Sequence, residues 1–468
     1  MCAEQPQRQP QTPSTAFLEA TKNLIEQRVA AAQEEHLARD FAVDAYPQQS
    51  AVWAGVEAAV EEVAGDLEFI VGDLHANPEV AFREVRSQRI LAQVLERHGH
   101  SVELGPYEVE TSFESSVSSA AFDPAVHPSV VIMAEYDALP GIGHACGHNI
   151  IAAAGVGAYL AAAKTLSSAA AEGVEGRVVL QGTPAEEGHT GKEYMIRGGS
   201  LEGIDAAVMV HGFGYDIASH AWVGRRSATV RFYGVAAHAS SQPYMGKNAL
   251  DAASLAYQGL GLFRQQMPPS DRLHAIITEG GHRPSIIPAE AQMELYVRSL
   301  SVDTLMDVSQ RVEEIIEGAA LMAGCGWEIE WDPHPMSLPV RNNESMVARW
   351  AATQARRGRV ALPAGTVPDS LAASTDFGNV SQLVPGIHPM VKVSPADVAL
   401  HTEAFEKWAN SPQAVAAAVD SAVGLAQVAL DLLADAALLR AAKEDFARAG
   451  GKVGVDKLLP SSSPRTAR

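Results

Sequence analysis

The sequence predicts an α/β protein: a parallel-type mixed sheet with a ferredoxin-like β-α-β-β-α-β domain inserted into it. Three observations predict this. From about residue 129, apolar runs of strand length alternate with Ala-rich stretches of helix length, and such alternation implies a parallel sheet covered on both faces. Between about 224 and 332 the rhythm becomes strand, helix, two strands, helix, strand, the order of a split βαβ unit. From about 345 helices and apolar strands resume, so the middle pattern reads as an insertion.

The elements follow in order. Residues 1–15 are rich in Gln, Pro and Ser and are expected to be disordered, as are residues 459–468 around Pro460-Ser-Ser-Ser-Pro464. Residues 16–72 carry apolar side chains at helical spacing and open the first part of the main domain, 16–223. Within it, SVVIMAEYDALP, NIIAAAGVGAYLAAAKTL, GRVVLQGTPAEEG and AAVMVHGFG read as strand, helix, strand and strand. The inserted domain, 224–332, runs from RSATVRFYGVA to GWEIEWDP. The second part, 333–458, contributes the strand HPMVKV and ends in a long Ala/Leu-rich helix.

Length and composition set bounds on function. A chain of 468 residues exceeds one ordinary core. Its 47% hydrophobic and 19% charged residues suit a globular enzyme. A formal charge of -21 argues against nucleic-acid and anionic-membrane partners, whose phosphates would repel it. The N-terminus shows no basic stretch leading into an apolar one, and no 18-residue apolar run is free of polar residues, so the expected compartment is the cytoplasm. The three cysteines, Cys2, Cys146 and Cys325, are too scattered for a disulfide framework.

The chemistry lies at strand ends, where open α/β sheets bind ligands. Glu135, Asp137 and then His144-Ala145-Cys146-Gly147-His148 follow VVIMA; Glu186 and Glu187 follow VVLQG; His211 follows AAVMV. Cys146 and His148, joined by a Gly that lets the backbone turn tightly, can face one ion, and carboxylate and further imidazole ligands would complete a Zn2+ or Mn2+ site. The donor set lacks the paired Cys/His clusters of a structural finger and fits a catalytic site, which keeps a position for water. Adjacent glutamates usually sit on a solvated surface; at the end of a buried strand, Glu186 and Glu187 can divide the labour, one on metal and one as general base. A lone His is ordinarily structural, and His36, His98, His100, His127, His274 and His334 are read so. His148, His211 and His401 stand out by position, while spacing alone leaves His144 and His189 open.

LHANPEVAFRE, AEYDALPGIGHACGHN, GTPAEEG, His211, GVAAHASSQPYMGKNALDA, STDFGNVS and HTEAF occur in this order over about 74–430 and together resemble the M20 metallopeptidase family, in its amidohydrolase branch. The resemblance implies a catalytic domain holding two divalent ions, Zn2+ or Mn2+, and an inserted lid that forms a homodimer. It implies metal ligation by Cys146, His148, Glu187, His211 and His401, with Glu186 as general acid/base and Asp137 as the carboxylate orienting a ligand. His238 matches a histidine that reaches the partner subunit's site to support the oxyanion, and Arg298 matches the residue holding the substrate carboxylate. Ser285 departs from the pattern by standing where relatives often carry Asn, and Glu135 stands where distant relatives use a His ligand. The implied activity is hydrolysis of a dipeptide or N-acyl amino acid by metal-activated water. Two other readings are a non-catalytic metal-binding scaffold on the same fold and a hydrolase using Cys146 as nucleophile.

Overall fold

A computed structural model describes residues 14, 16–37, 46–459 and 466–467. Most of the N-terminal tail expected to be disordered, residues 1–13 and 15, lies outside the described residues.

The main sheet has six strands in the order Glu103–Leu104, Phe113–Ser118, Arg177–Gly182, Ser129–Ala134, Ala206–Val208, Gly386–Ile387. The last four run parallel to their neighbours, and the first two add an antiparallel edge. Every residue of Ser129–Ala134 is buried, which explains its unbroken apolar run: with helices on both faces there is no solvent side to mark with polar residues. Helices Gln49–Ala76, His148–Leu166 and Pro412–Ala434 cover one face and share its largest core. Two of them, His148–Leu166 and Pro412–Ala434, are long and apolar enough to span a bilayer, but they are the buried centre of this core. On the other face Val131, Met133, Val179 and Met209 pack on Phe377 and Val380. Helix Ala16–Leu37 docks separately, seating Ile25 and Val29 against Ile217, Trp222 and Met390.

The inserted unit is a four-stranded antiparallel sheet ordered Gly326–Trp331, Gly224–Tyr233, Glu290–Ser299, Arg272–Glu279. Burial alternates residue by residue along Gly224–Tyr233 and Glu290–Ser299. Helices Ala249–Phe263 and Val302–Ala323 close one face over their own core, and the other face is left without a covering layer, as the period-2 pattern demands. A two-residue ribbon pairs Ala237–His238 with Ile286–Ile287.

Of residues 459–468, expected from their composition to lack structure, 460–465 and 468 lie outside the described residues; Leu459 packs against the core of the inserted unit and Thr466–Ala467 pairs antiparallel with Trp327 and Glu328. The physical reason is the exposed edge of Gly326–Trp331, whose free backbone groups accept any extended segment within reach.

Candidate metal centre

Strand ends and tight turns bring the site together. Gly147, at φ 83, occupies the left-handed region just before helix His148–Leu166, and the turn it permits places Cys146 and His148 on one side. Ala185 at φ 60 aims the adjacent Glu186 and Glu187, and its N–H is held by Glu84 Oε1 at 2.9 Å. His401, also at φ 60, donates its backbone N–H to Ala145 O at 2.9 Å, which carries the second half of the chain to Cys146. Left-handed non-glycine residues cost of order 1–3 kcal/mol and persist only where their surroundings enforce them.

Two groups of donors share Cys146. Its Sγ lies 3.5 Å from His211 Nε2 and 3.3 Å from His401 Nε2. His401 Nε2 is in turn 3.3 Å from Glu187 Oε1. His148 Nε2 lies 3.6 Å from Glu135 Oε2, 3.9 Å from Glu186 Oε2 and 4.0 Å from Glu187 Oε1. Cys146 with His148 and His211, Cys146 with Glu187 and His401, and His148 with Glu186 and Glu187 each place their donor atoms within 4.8 Å of one another. His144 and His189 belong to none of these groups: His189 is turned back onto Glu187 O, 2.9 Å from its Nδ1. Asp137 sits behind the site, with Oδ1 2.9 Å from His148 Nδ1 and Oδ2 accepting the Glu187 N–H at 2.8 Å. One carboxylate therefore orients two candidate ligands.

Burial and neighbouring charge set the protonation states. Burial lowers His148, but Asp137 and Cys146 outweigh it and hold the imidazole well above its usual range. His211 is pushed down to about 3 by burial and then by His148. Burial drives Glu186 well above the usual carboxylate range, reinforced by Glu135 and Glu187. Glu187 is also pushed up by burial, yet His401 and His148 bring it below its usual value. Burial and Glu187 push the Cys146 thiol well up, the reverse of what a thiolate nucleophile requires.

These residues fit a metal pair. Thiol, imidazole and carboxylate donors converge in a buried pocket, and His148 Nε2 is buried without a hydrogen-bond partner while facing three carboxylates. An orphaned ring nitrogen in such a place is what a bound cation would satisfy.

Several contributors have no strand-end signal in the sequence. Lys192, fully buried on the short helix Gly191–Arg197, binds Glu135 with its ammonium, and also Asp376 Oδ1 at 2.8 Å. Its backbone N–H donates to Asp376 Oδ2 at 2.9 Å. Glu135 is thus clamped through one oxygen, while its other oxygen faces His148 without a hydrogen bond. His211 is backed by aromatic rings, with Trp222 at 5.3 Å and His388 at 5.8 Å between centroids. Burial and His211 hold His388 well below the usual imidazole range, so it packs as a neutral ring.

The three residues expected from the inserted unit are not joined to this cluster within one chain. His238 is exposed, its Nδ1 accepting from the N–H groups of Ser240 and Ser241 at 3.2 and 3.1 Å. Ser285 is exposed beside it, its carbonyl accepting the Ala239 N–H at 3.0 Å. Arg298 stands on the open face of the inserted sheet with its guanidinium 5.0 Å from the Tyr296 ring.

Fold and site define a metal-dependent hydrolase of mixed α/β architecture with an inserted domain. The peptidase dimerisation domain matches residues 222–321. Over 394 residues the chain is 36% identical to the Xaa-Arg dipeptidase of Homo sapiens, spanning 83% of this chain and 90% of that protein. It is 31% identical over 296 residues to a p-aminobenzoyl-glutamate hydrolase polypeptide of Escherichia coli, spanning 59% and 60%. Among solved structures, a dinuclear metal-binding M20 peptidase of Bacillus subtilis aligns with TM-score 0.60 at 21% identity, covering 79% of this chain and 99% of that one. An aminobenzoyl-glutamate utilization protein of Klebsiella pneumoniae aligns at 0.60 and 19% identity, covering 80% and 98%. The chain belongs to the M20 peptidase family.

Proposed function

We propose that the protein is a metal-dependent amidohydrolase that cleaves the amide bond of a dipeptide or N-acyl amino acid, with Glu186 as its general acid/base. The observation that carries this reading is the geometry of the glutamate pair: Glu187 shares a donor group with Cys146 and His401, while its neighbour Glu186 stands beside that group with Oε2 3.9 Å from His148 Nε2, and burial pushes its carboxyl above the usual range. A carboxyl so placed suits an acid/base role.

Cys146, His148, Glu187, His211 and His401 would hold two ions, Zn2+ or Mn2+. When bound, the ions supply Lewis-acid activation of water and of the scissile carbonyl. Glu186 takes the proton from the attacking water and returns it to the departing nitrogen. Asp137 keeps the His148 ring in the tautomer that presents Nε2 to the site. Arg298 receives the substrate carboxylate. The matched dimerisation domain and its exposed Leu262, Ile276 and Leu321 support a homodimer built through the lid. In that dimer His238 of one copy would complete the other's cleft as an oxyanion donor.

The names of the relatives support the substrate class: a dipeptidase for Xaa-Arg and a hydrolase for p-aminobenzoyl-glutamate. The test is amide hydrolysis against dipeptides, acyl amino acids and aminobenzoyl-glutamate, with Zn2+ or Mn2+, with chelator, and with Glu186→Ala. Metal-dependent release of an amino acid, lost in the variant while bound metal is retained, is expected. Hydrolysis that survives both chelator and substitution would overturn the mechanism.

A further inference from the structure

The open face of the lid sheet carries a feature that a single carboxylate contact does not use. Arg298 stands directly opposite Arg225 on one neighbouring strand and Arg272 on the other. Directly paired residues share a face, so the three guanidinium groups form a row, and like charges so placed repel. Arg272 is turned away onto the carbonyls of Pro269 and Asp271. Arg225 and Arg298 remain together, 5.6 and 5.0 Å from the same Tyr296 ring. Among the described residues neither has a carboxylate at ion-pair distance, although the chain has 56 acidic residues to 35 basic ones. Asp332 is near enough to feel the Arg225 charge but is itself paired with Arg226, so in so acidic a protein two adjacent guanidiniums without a carboxylate in direct contact form a site prepared for an anion from outside.

Its place relative to the metal centre follows from one bond. Arg225 Nη2 donates to Gly188 O at 3.3 Å, the residue after Glu187. Beside it, the ring of His334, just past the end of the inserted unit, lies 4.1 Å from that of His189. The arginine pair therefore borders the cleft that Glu186 and Glu187 line.

We propose that Arg225 is a specificity residue that binds a second substrate carboxylate, so that the enzyme prefers amides of an acidic amino acid, glutamate or aspartate, as the released residue. This rests on the amidohydrolase reading above. Arg298 takes the α-carboxylate common to all candidate substrates, and Arg225 takes the side-chain carboxylate that only the acidic ones possess.

The experiment compares N-acyl-glutamate with its neutral isostere N-acyl-glutamine and with N-acyl-arginine, using the metal-loaded enzyme, the Arg225→Gln and Arg225→Lys variants, and melting curves as a fold control. One charge-assisted contact predicts a glutamate-over-glutamine ratio of about tenfold to a hundredfold in kcat/KM, carried mainly by KM. Arg225→Gln should collapse that ratio towards one, and Arg225→Lys should restore part of it. Equal use of glutamate and glutamine amides, preference for the arginine amide, or an Arg225→Gln loss of equal size on all three would overturn the proposal while leaving the hydrolase standing. Isothermal titration of the free amino acids separates the two readings: tighter binding of glutamate than glutamine, lost in Arg225→Gln, supports the arginine site even if no amide is cut, and equal binding sinks it.

Discussion

Replacing Lys192 by Met removes the one ammonium that Glu135 and Asp376 share, and leaves two buried carboxylates facing each other. Keeping both ionised without a counter-charge is prohibitive, so the folded variant takes up at least one proton. Starting from an ordinary Glu value of 4.5, holding one such proton at about pH 7.5 costs about 4 kcal/mol, and at about pH 5 under 1 kcal/mol, at 1.36 kcal/mol per unit. The sign follows from linkage: a carboxylate whose folded pKa is raised binds more protons folded than unfolded, so stability falls as pH rises from the unfolded value towards the folded one. Urea unfolding of the metal-free proteins should show the variant about 4 kcal/mol less stable than the parent near pH 7.5. That gap should shrink by about 3 kcal/mol on moving to pH 5. A deficit below about 1 kcal/mol at pH 7.5, or one of equal size at both pH values, would refute the claim that Lys192 acts as a counter-ion.

A Cβ placed on Gly191 would stand 1.8 Å from Pro184 O, a backbone atom of the loop that carries Glu186 and Glu187. Gly191→Ala should cost about 1–3 kcal/mol of stability and weaken metal binding in calorimetric titration; unchanged affinity would show that the loop yields elsewhere. Glu84 is pushed up to about 7 by burial and then by Asp137, so the parent should lose up to about 3 kcal/mol between pH 4.5 and 7 through this group. Glu84→Gln should flatten that part of the profile in urea melts taken across the window, and an unaltered slope would remove Glu84 as its cause.

The sequence makes the ligand cluster legible because each donor follows a recognisable event: an apolar run that ends, or a Gly that turns the chain. Cys146, His148, Glu187 and His211 stand out in this way, and the buried strand preceding the glutamate pair distinguishes it from surface decoration. Lys192 carries no such sign. It lies in the first turn of a helix of seven residues and reads as an ordinary surface lysine, and its significance depends on Asp376, 184 residues away. His388 is hidden for a related reason, since an imidazole packed among Trp222, Phe377 and His211 has no sequence-local partner. The alternation of the lid strands identifies their open face, but not the row of arginines, because register between strands is a property of the pairing rather than of either strand. The paired C-terminal residues escape a sequence reading because a short Ser/Pro-rich tail gives no hint that an edge awaits it.

The bond between His401 and Cys146 spans 255 residues of chain, and the whole lid, with a core of its own, lies inside that loop. On a ribosome adding about 5–20 residues per second, Cys146 precedes its last partner by about 13–50 s. By the end of that interval Cys146, His148, Glu187 and His211 are already made, while His401 is not. The order of synthesis thus separates a nascent four-donor set from the finished pair of sites, and the ion that arrives early meets a different chemistry from the one that arrives late.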